Sequence, residues 1–322
     1  MEHIHIPLIC FALINFLLIL VGYLFILKKL IWPSWMLLII SVLIVYLASV
    51  EAHPIIRMLV IIATTFTGMK VIAVAESYKT KPLSLSFKQW CVFAIGWAGM
   101  RAQPFETLGG KPLPDAWAKI KFGVSWVLIG LILIIVIHQI VQLPLNAHLL
   151  YISTSIILLI AFSLILHFGL LSISAGMWRL SGVATYYLFK APAKAISLNE
   201  FWSKRWNLAF SEMTSITIFR PLRKTTGSGF ALLLAFAFSG ILHELALSVP
   251  VNSGYGLPLL YFMIQGIMVL VEKKIIGWPM FKNVYLARAW VFFWLVIPMP
   301  LLFHDQFIKA VVWPLAGLAI PI

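Results

Sequence analysis

The sequence FALLLAFAFSGILHE, residues 230–244, is an apolar run that ends in two ionisable side chains. A second cluster, FWSKRWN at residues 201–207, combines three aromatic rings with basic side chains and Asn207. Ionisable residues within a membrane span are costly to bury and mark functional sites by default. We therefore expect His243 and Asn207 to belong to one site that forms inside a membrane.

The composition of the whole chain indicates the same environment. The 322 residues are 62% hydrophobic and 11% charged, and the mean hydropathy is +1.02. A soluble globular domain is nearer half apolar and a quarter charged. We expect an all-α, polytopic integral membrane protein, with a single membrane domain over residues 1–322 and a motif core at about 197–248.

Eight apolar segments approach the roughly 20 residues that a membrane-spanning helix needs. They are 7–27, 31–50, 55–75, 122–141, 149–171, 228–248, 258–271 and 287–303. A further stretch at 306–320 is interrupted by Lys309 and Pro314, and it spans, tilts or forms a re-entrant segment. The sequence thus predicts about eight or nine transmembrane helices.

The basic residues indicate which side of the membrane each loop occupies. With the N-terminus outside, the inner loops contain 21 of the 24 Lys and Arg residues, and only Arg57, Lys70 and Lys309 remain. The outer connections 142–148 and 249–257 contain no basic residue. Cytoplasmic loops carry such an excess of Lys and Arg. This distribution accounts for the net charge of +14 without a nucleic-acid partner and predicts a cytoplasmic 201–207 cluster.

Two of the inner loops, about 76–121 and 172–227, are too long to lack structure of their own. We expect interfacial or re-entrant helices in both of them. One such helix should begin at Ser197, since Ser followed three residues later by Glu200 is the pattern of a capping box.

If that helix is α-helical, its side chains at spacings of three and four residues share a face. The spacing predicts that Trp202, Arg205 and Trp206 lie together. An alternative interpretation is that these residues are ordinary aromatic and basic anchors at the membrane boundary.

His243 has an alternative interpretation too, as a histidine that only packs between helices. Ser239 and Gly240 precede it, and small residues let another helix or a ligand approach closely. Glu244 follows directly, and adjacent residues of a helix do not face each other. We expect Glu244 to pair with a polar group elsewhere or to line a water-filled cavity. Too few ligands surround these residues for a metal site. Ser239 lacks the Gly-x-Ser-x-Gly context of a nucleophile.

The order of these motifs resembles a known family. EFW-x-x-RWN at residues 200–207 is followed by RP at 220–221 and by FSG-x-x-HE at 238–244. This order is similar to the core of the wax synthase branch of the membrane-bound O-acyltransferase superfamily. Ser203 stands where Gly is common and Lys204 where Arg is common. The close match covers roughly a seventh of the chain.

The resemblance implies transfer of an acyl group from acyl-coenzyme A, as co-substrate, to the hydroxyl of a lipophilic alcohol in the membrane, without a further cofactor. A long-chain alcohol, giving a wax ester, is the leading acceptor. His243 would be the general base and Asn207 the second catalytic residue, as oxyanion donor or as a group that positions substrate. Six residues are assigned to substrate binding: Trp202, Arg205, Trp206, Arg220, Ser239 and Glu244.

Other functions remain open. The same residues would serve acyl or acetyl transfer to a sterol, terpenoid, glycerolipid or sugar hydroxyl. A membrane transporter is an alternative of another class, because intramembrane ionisable residues also mark ion pathways. Residues 96–101, GWAGMR, resemble an element of bacterial relatives, with Ala98 in place of Pro. We expect a bacterial cytoplasmic membrane, with the endoplasmic reticulum as the alternative.

Overall fold

The computed structural model describes residues 5–144 and 146–320, and this part of the chain contains helices and no strand. Seven of its helices are long and apolar enough to cross a membrane. They are α1 (His5–Leu27), α2 (Ile31–Ala48), α3 (Pro54–Ser77), α5 (Ala116–Ile140), α6 (Ala147–Leu180), α9 (Ser228–Val251) and α11 (Val284–Leu302). The predicted all-α, polytopic membrane fold is confirmed, with seven such helices in the described residues where about eight or nine were predicted.

The remaining two predicted segments are also helical. Helix α10 (Leu257–Ile275) has 19 residues and continues past the predicted end at 271, so that its last turns contain three charged residues. The stretch 306–320 contains α12, a short helix at 305–315 that includes one π turn (Ile308–Val312). This helix is too short to span a bilayer, and Val311, Val312 and Trp313 are buried in it.

Both long loops contain short helices, as predicted. The first holds α4 (Phe87–Gly96) and a 3₁₀ turn (Gln103–Thr107). The second holds α7 at 198–205 and α8 at 208–226, each of which widens into a π turn. These loop helices carry the FWSKRWN cluster and the Arg220-Pro221 pair.

Helix α3 lies at the centre of the fold. In the most apolar 18 residues of α3, 67% of the residues are buried, whereas the figure for α1 and for α5 is 17%. Helices α1 and α2 pack on one side of it, where Gly22 and Gly68 receive the side chains of Val71 and Leu38. Helices α5 and α6 form a separate hairpin and approach closely at glycines, since a Cβ on Gly123 would lie 2.6 Å from the Gly169 carbonyl oxygen. Small residues at helix contacts allow such packing in membranes.

Helices α9 and α10 form the second close pair, and they support the site described below. A Cβ on Gly240 would lie 2.8 Å from Cα of Leu259, so the two backbones are in contact there. Helix α7 packs against α10, and α8 packs against α9. The FWSKRWN cluster is thus brought against the helix that carries His243.

Candidate active site

The cluster at 201–207 has an unusual backbone. Ser197 accepts a hydrogen bond from the Glu200 amide at 2.9 Å, which is half of the predicted capping box. The Glu200 carboxylate accepts from the Ile196 amide instead of that of Ser197, so the reciprocal half is absent. After one turn the helix widens into a π turn (Phe201–Arg205), closed by a bond of 2.8 Å from the Trp206 amide to the Phe201 carbonyl.

The π turn removes the α-helical spacing on which the predicted shared face rested, and Arg205 has partners different from those of the two Trp rings. Trp202 donates to Oε1 of Gln265 at 3.2 Å on α10. The guanidinium of Arg205 forms an ion pair of 2.7 Å with Glu200. The spacing rule assumed an α-helix through 206, whereas the wider turn changes the angle between successive residues.

Trp206 lies in extended backbone beyond the π turn and packs in an aromatic cluster. Its ring stacks on Phe201, with centroids 5.5 Å apart, and meets Phe189 edge-on at 4.9 Å. His167, in the π turn of α6, stacks on Phe189 and touches Trp206 edge-on at 5.5 Å. The indole of Trp206 therefore packs within this aromatic cluster, immediately before Asn207.

Asn207 adopts a left-handed backbone conformation, with φ of 42°. Among residues with a side chain, Asn and Asp tolerate this region best. Its Oδ1 accepts from the Phe210 amide at 3.3 Å and caps the start of α8. Among the described residues nothing pairs with its Nδ2, so the amide NH₂ is left as a hydrogen-bond donor. Backbone bonds on either side, from Leu208 to Leu188 and from Lys190 to Arg205, hold the segment in place.

One ring nitrogen of His243 is hydrogen-bonded to the backbone, and the other is left to contact a substrate. Nδ1 lies 2.7 Å from the Ser239 carbonyl oxygen. Because a carbonyl only accepts, Nδ1 is assigned the proton, and Nε2 of a neutral ring then carries the lone pair. The ring lies between Phe210 at 5.2 Å and Phe262 at 4.3 Å, measured between centroids.

Phe210 connects the two polar residues of the candidate site. Its amide is bonded to Asn207, and its ring packs on His243. The structure thus brings the neighbourhoods of Asn207 and His243 together, although 35 residues separate them along the chain. That both side chains face one cavity remains a prediction.

Glu244 points away from the His243 ring, as the helix geometry predicted, and pairs elsewhere. Its Oε1 accepts from the amides of Gly256 and Leu259, each at 3.0 Å, at the start of α10. A carboxylate at a helix N-terminus is favoured by the exposed amides and the helix dipole. Glu244 therefore fastens α9 to α10, and this fastening holds the helix of His243 in place.

The remaining residues assigned to substrate binding lie in different environments. Arg205 also donates to the carbonyls of Lys190 and Ala191, so its guanidinium is engaged by the protein. Ser239 is buried and offers its carbonyl to His243. Arg220 is exposed on α8 and forms no ion pair within the described ranges.

Several residues near the site were missed from sequence. Gln265 is fully buried, and its Nε2 donates to the Trp294 carbonyl at 2.6 Å. Its amide in an otherwise apolar helix was a usable signal. Phe210 and Phe262 gave no signal, because Phe occurs throughout this chain.

Glu212, five residues after Asn207, was also missed. Both its oxygens accept from the Tyr186 hydroxyl, at 2.6 and 2.7 Å, and Arg101 pairs with it at 3.0 Å. Burial raises the pKa of the Glu212 carboxyl above its ordinary value. The network ties the beginning of α8 to the GWAGMR segment through Arg101 and to the loop before α7 through Tyr186. It thus supports the backbone on which Asn207 lies.

Comparison with known proteins converges on the same region. Residues 185–264 match the family model described as the membrane bound O-acyl transferase family. A long-chain-alcohol O-fatty-acyltransferase of Simmondsia chinensis is 29% identical over 109 residues, which cover 30% of this chain and 31% of that protein. A probable long-chain-alcohol O-fatty-acyltransferase 9 of Arabidopsis thaliana is 28% identical over 138 residues, covering 38% and 40%. Each of these matches spans about a third of the relative's length, or slightly more. The resemblance predicted from the motifs is confirmed.

Proposed function

We propose that this integral membrane protein transfers an acyl group to the hydroxyl of a lipophilic alcohol. The proposal is supported by the match of residues 185–264 to the membrane bound O-acyl transferase family. The donor is acyl-coenzyme A and the leading acceptor is a long-chain alcohol, which gives a wax ester. The observation that carries the proposal is the 2.7 Å contact between Nδ1 of His243 and the Ser239 carbonyl oxygen. It assigns the ring proton to Nδ1 and leaves Nε2 as the nitrogen with the lone pair.

The reaction requires a base, because a neutral hydroxyl is a poor nucleophile. Nε2 of His243 accepts the proton of the alcohol as its oxygen attacks the thioester carbon. The tetrahedral intermediate then collapses, the carbon–sulfur bond breaks, and the same proton passes to the coenzyme A thiolate. The products are the ester and the free thiol, so the protons balance without a further donor.

Asn207 is suited to stabilise the oxyanion of that intermediate. Its Oδ1 is occupied by the Phe210 amide, and this bond orients Nδ2 as the remaining donor of the side chain. Preorganised donors of this kind act most strongly when they need no reorganisation during the reaction. The capped, left-handed backbone at Asn207 provides such preorganisation.

The donor reaches the site from the cytoplasm in this proposal. Arg220, Arg223 and Lys224 are exposed on α8 just before the helix of His243. His243 lies 15 residues after the start of α9, or about 22 Å along the helix at about 1.5 Å per residue. The proposal therefore requires a path for the acyl thioester between α8, α9 and α10, past Phe210 and Phe262, which contact His243.

The test is acyl transfer by purified protein with labelled acyl-coenzyme A. The acceptors are long-chain alcohols, a sterol, a terpenol, a diacylglycerol and a sugar, and both acetyl and fatty acyl donors are used. We expect labelled ester with a long-chain alcohol and a fatty acyl donor. Labelled product with another acceptor alone would replace the wax-ester assignment. Absence of ester with every pair, from protein that is folded by its melting transition, would contradict acyltransferase activity.

A further inference from the structure

Glu272 is a buried carboxylate outside the matched family region, near the end of α10. It is 1% exposed and accepts three hydrogen bonds. The Leu198 amide donates to Oε2 at 2.7 Å, the Asn199 amide to Oε1 at 3.2 Å, and the Trp290 indole to Oε2 at 3.2 Å. A buried charge is tolerated when it is fully hydrogen-bonded. Here the partners include the first two amides of α7, where the helix dipole favours a negative charge.

Helix α7 leads directly into the segment that ends at Asn207. Its first turn passes into the π turn, and the bond from the Trp206 amide to the Phe201 carbonyl closes that turn. A second link joins the two helices, since Trp202 donates to Gln265 on α10. Two sets of hydrogen bonds therefore hold the 201–207 segment on α10, one made by Glu272 and one by Gln265.

The other end of α10 is fastened to the helix of His243. Glu244 accepts the Gly256 and Leu259 amides, and Phe262 packs on the imidazole at 4.3 Å. Close backbone contact between Gly240 and Leu259 fixes the separation of the two helices. Helix α10 thus contacts both halves of the candidate site. At its start it binds Glu244 of α9, and near its end its own Glu272 binds α7.

We propose that Glu272 is a positioning residue that holds the 201–207 segment on α10 and so keeps Asn207 aligned with His243. The inference rests on the proposed function. Glu272 does not touch the reacting atoms. Its two oxygens bind separate amides, so that a single side chain fixes the direction of the first turn of α7.

The test is Glu272→Gln, which keeps the size of the side chain but leaves an NH₂ facing one of the two amides. We expect kcat to fall about 10- to 100-fold, because a misplacement near 1 Å far from the chemistry has effects of this size. KM for both substrates should stay within about twofold, and the midpoint of the pH–rate profile should not move. The matched control is Glu51→Gln, an exposed residue of the 49–53 loop, which should leave kcat unchanged.

Hydrogen exchange gives a readout that does not depend on activity. In Glu272→Gln we expect faster exchange for amides of 197–207 and unchanged exchange for 228–243. If this variant fails to accumulate, Trp290→Phe removes one donor and keeps the carboxylate, with a smaller effect of the same pattern. An altered KM with unchanged kcat, a shifted pH midpoint, or equal acceleration across the chain would overturn the inference. Inactive wild-type protein with the expected exchange pattern would contradict the proposed function but leave the positioning of the segment supported.

Discussion

His243 and Asn207 share one property at the level of single atoms. Each side chain has one polar atom bonded to the backbone and one left open, Nε2 in the first case and Nδ2 in the second. The sequence predicted both residues from their motif context. It could not predict which atom is open, because this depends on Ser239 and Phe210 through local backbone geometry.

Replacing His243 tests the base directly. We expect His243→Ala to lower turnover about 10²–10⁴-fold, the usual range for loss of a general base, while the protein still accumulates in the membrane. The control is His148→Ala, since His148 is exposed near the start of α6. Turnover within a few-fold of wild type would remove His243 from the chemistry.

Two substitutions at Asn207 separate its two atoms. Asn207→Asp keeps an acceptor for the Phe210 amide and a residue that tolerates positive φ, but it loses the Nδ2 donor. Asn207→Ala loses both. If Nδ2 serves the oxyanion, both variants should lose about 10²–10³-fold in kcat, and only the Ala variant should melt at a lower temperature. An active Asp variant would show that Asn207 acts through its cap alone.

Four charged side chains among the described residues bind at or next to helix ends. Glu244 and Glu272 accept the first amides of α10 and α7. The basic residues of α3 do the reverse. Lys70 donates to the Phe93, Ala94 and Trp97 carbonyls at the end of α4. Arg57 donates to the carbonyl of Ser49, which caps α2, and to those of Val50 and Ala52 in the loop that follows. Each charge has the sign that its helix end favours.

The helices themselves were only partly predictable from the sequence. The apolar segments were predicted from hydropathy, because length and composition determine which helices can span. The π turn after Glu200 was not predictable, because a single widened turn is too short to produce a repeating pattern of apolar and polar residues in the sequence. The prediction of a shared Trp202–Arg205–Trp206 face assumed an α-helix and did not include this turn.

The close contact between α9 and α10 predicts how a larger side chain at Gly240 affects stability. A methyl group at Gly240 would meet the Leu259 backbone at 2.8 Å, so Gly240→Ala must separate the helices. We expect a loss of about 1–3 kcal/mol in stability, typical of overpacking, measured as a lower melting temperature together with lower kcat. Gly229→Ala is the matched control on the same helix, because its nearest neighbour is a Leu270 side-chain atom at 4.0 Å. Equal melting of the two variants would contradict the close contact.

For the whole molecule, the distribution of basic residues predicts orientation, and the structure accounts for its exceptions. Arg57 and Lys70 serve as helix caps, and Lys309 pairs with Asp305 at 2.7 Å. Since these three side chains have local partners, they do not weigh against the positive-inside distribution. Orientation itself stays a prediction.

Thiol labelling tests this orientation. After Cys10 and Cys91 are replaced, a cysteine at Ser203 should be shielded from an impermeant reagent in sealed right-side-out membranes, whereas one at Tyr255 should react. Both positions are exposed, and Tyr255 has 58% of its surface accessible. Permeabilised membranes provide the control for reactivity at 203. The reverse pattern would place the 201–207 segment outside and exclude a soluble cytoplasmic donor.

The ammonium of Lys70 also bears on how the chain is inserted during synthesis. Its carbonyl partners lie at residues 93–97, which leave the ribosome after α3 is complete. Until then the Lys70 cation, seven residues before the end of α3, is unpaired, and such a charge costs up to about 2.5–3.5 kcal/mol, the insertion-scale value for the centre of a span. Helix α3 is thus least stable in the membrane before α4 is made. It is the most buried of the seven spanning helices once α4 has packed against it. We therefore expect α3 to become fully stable in the membrane only after residues 93–97 have been made, about twenty residues after its own end.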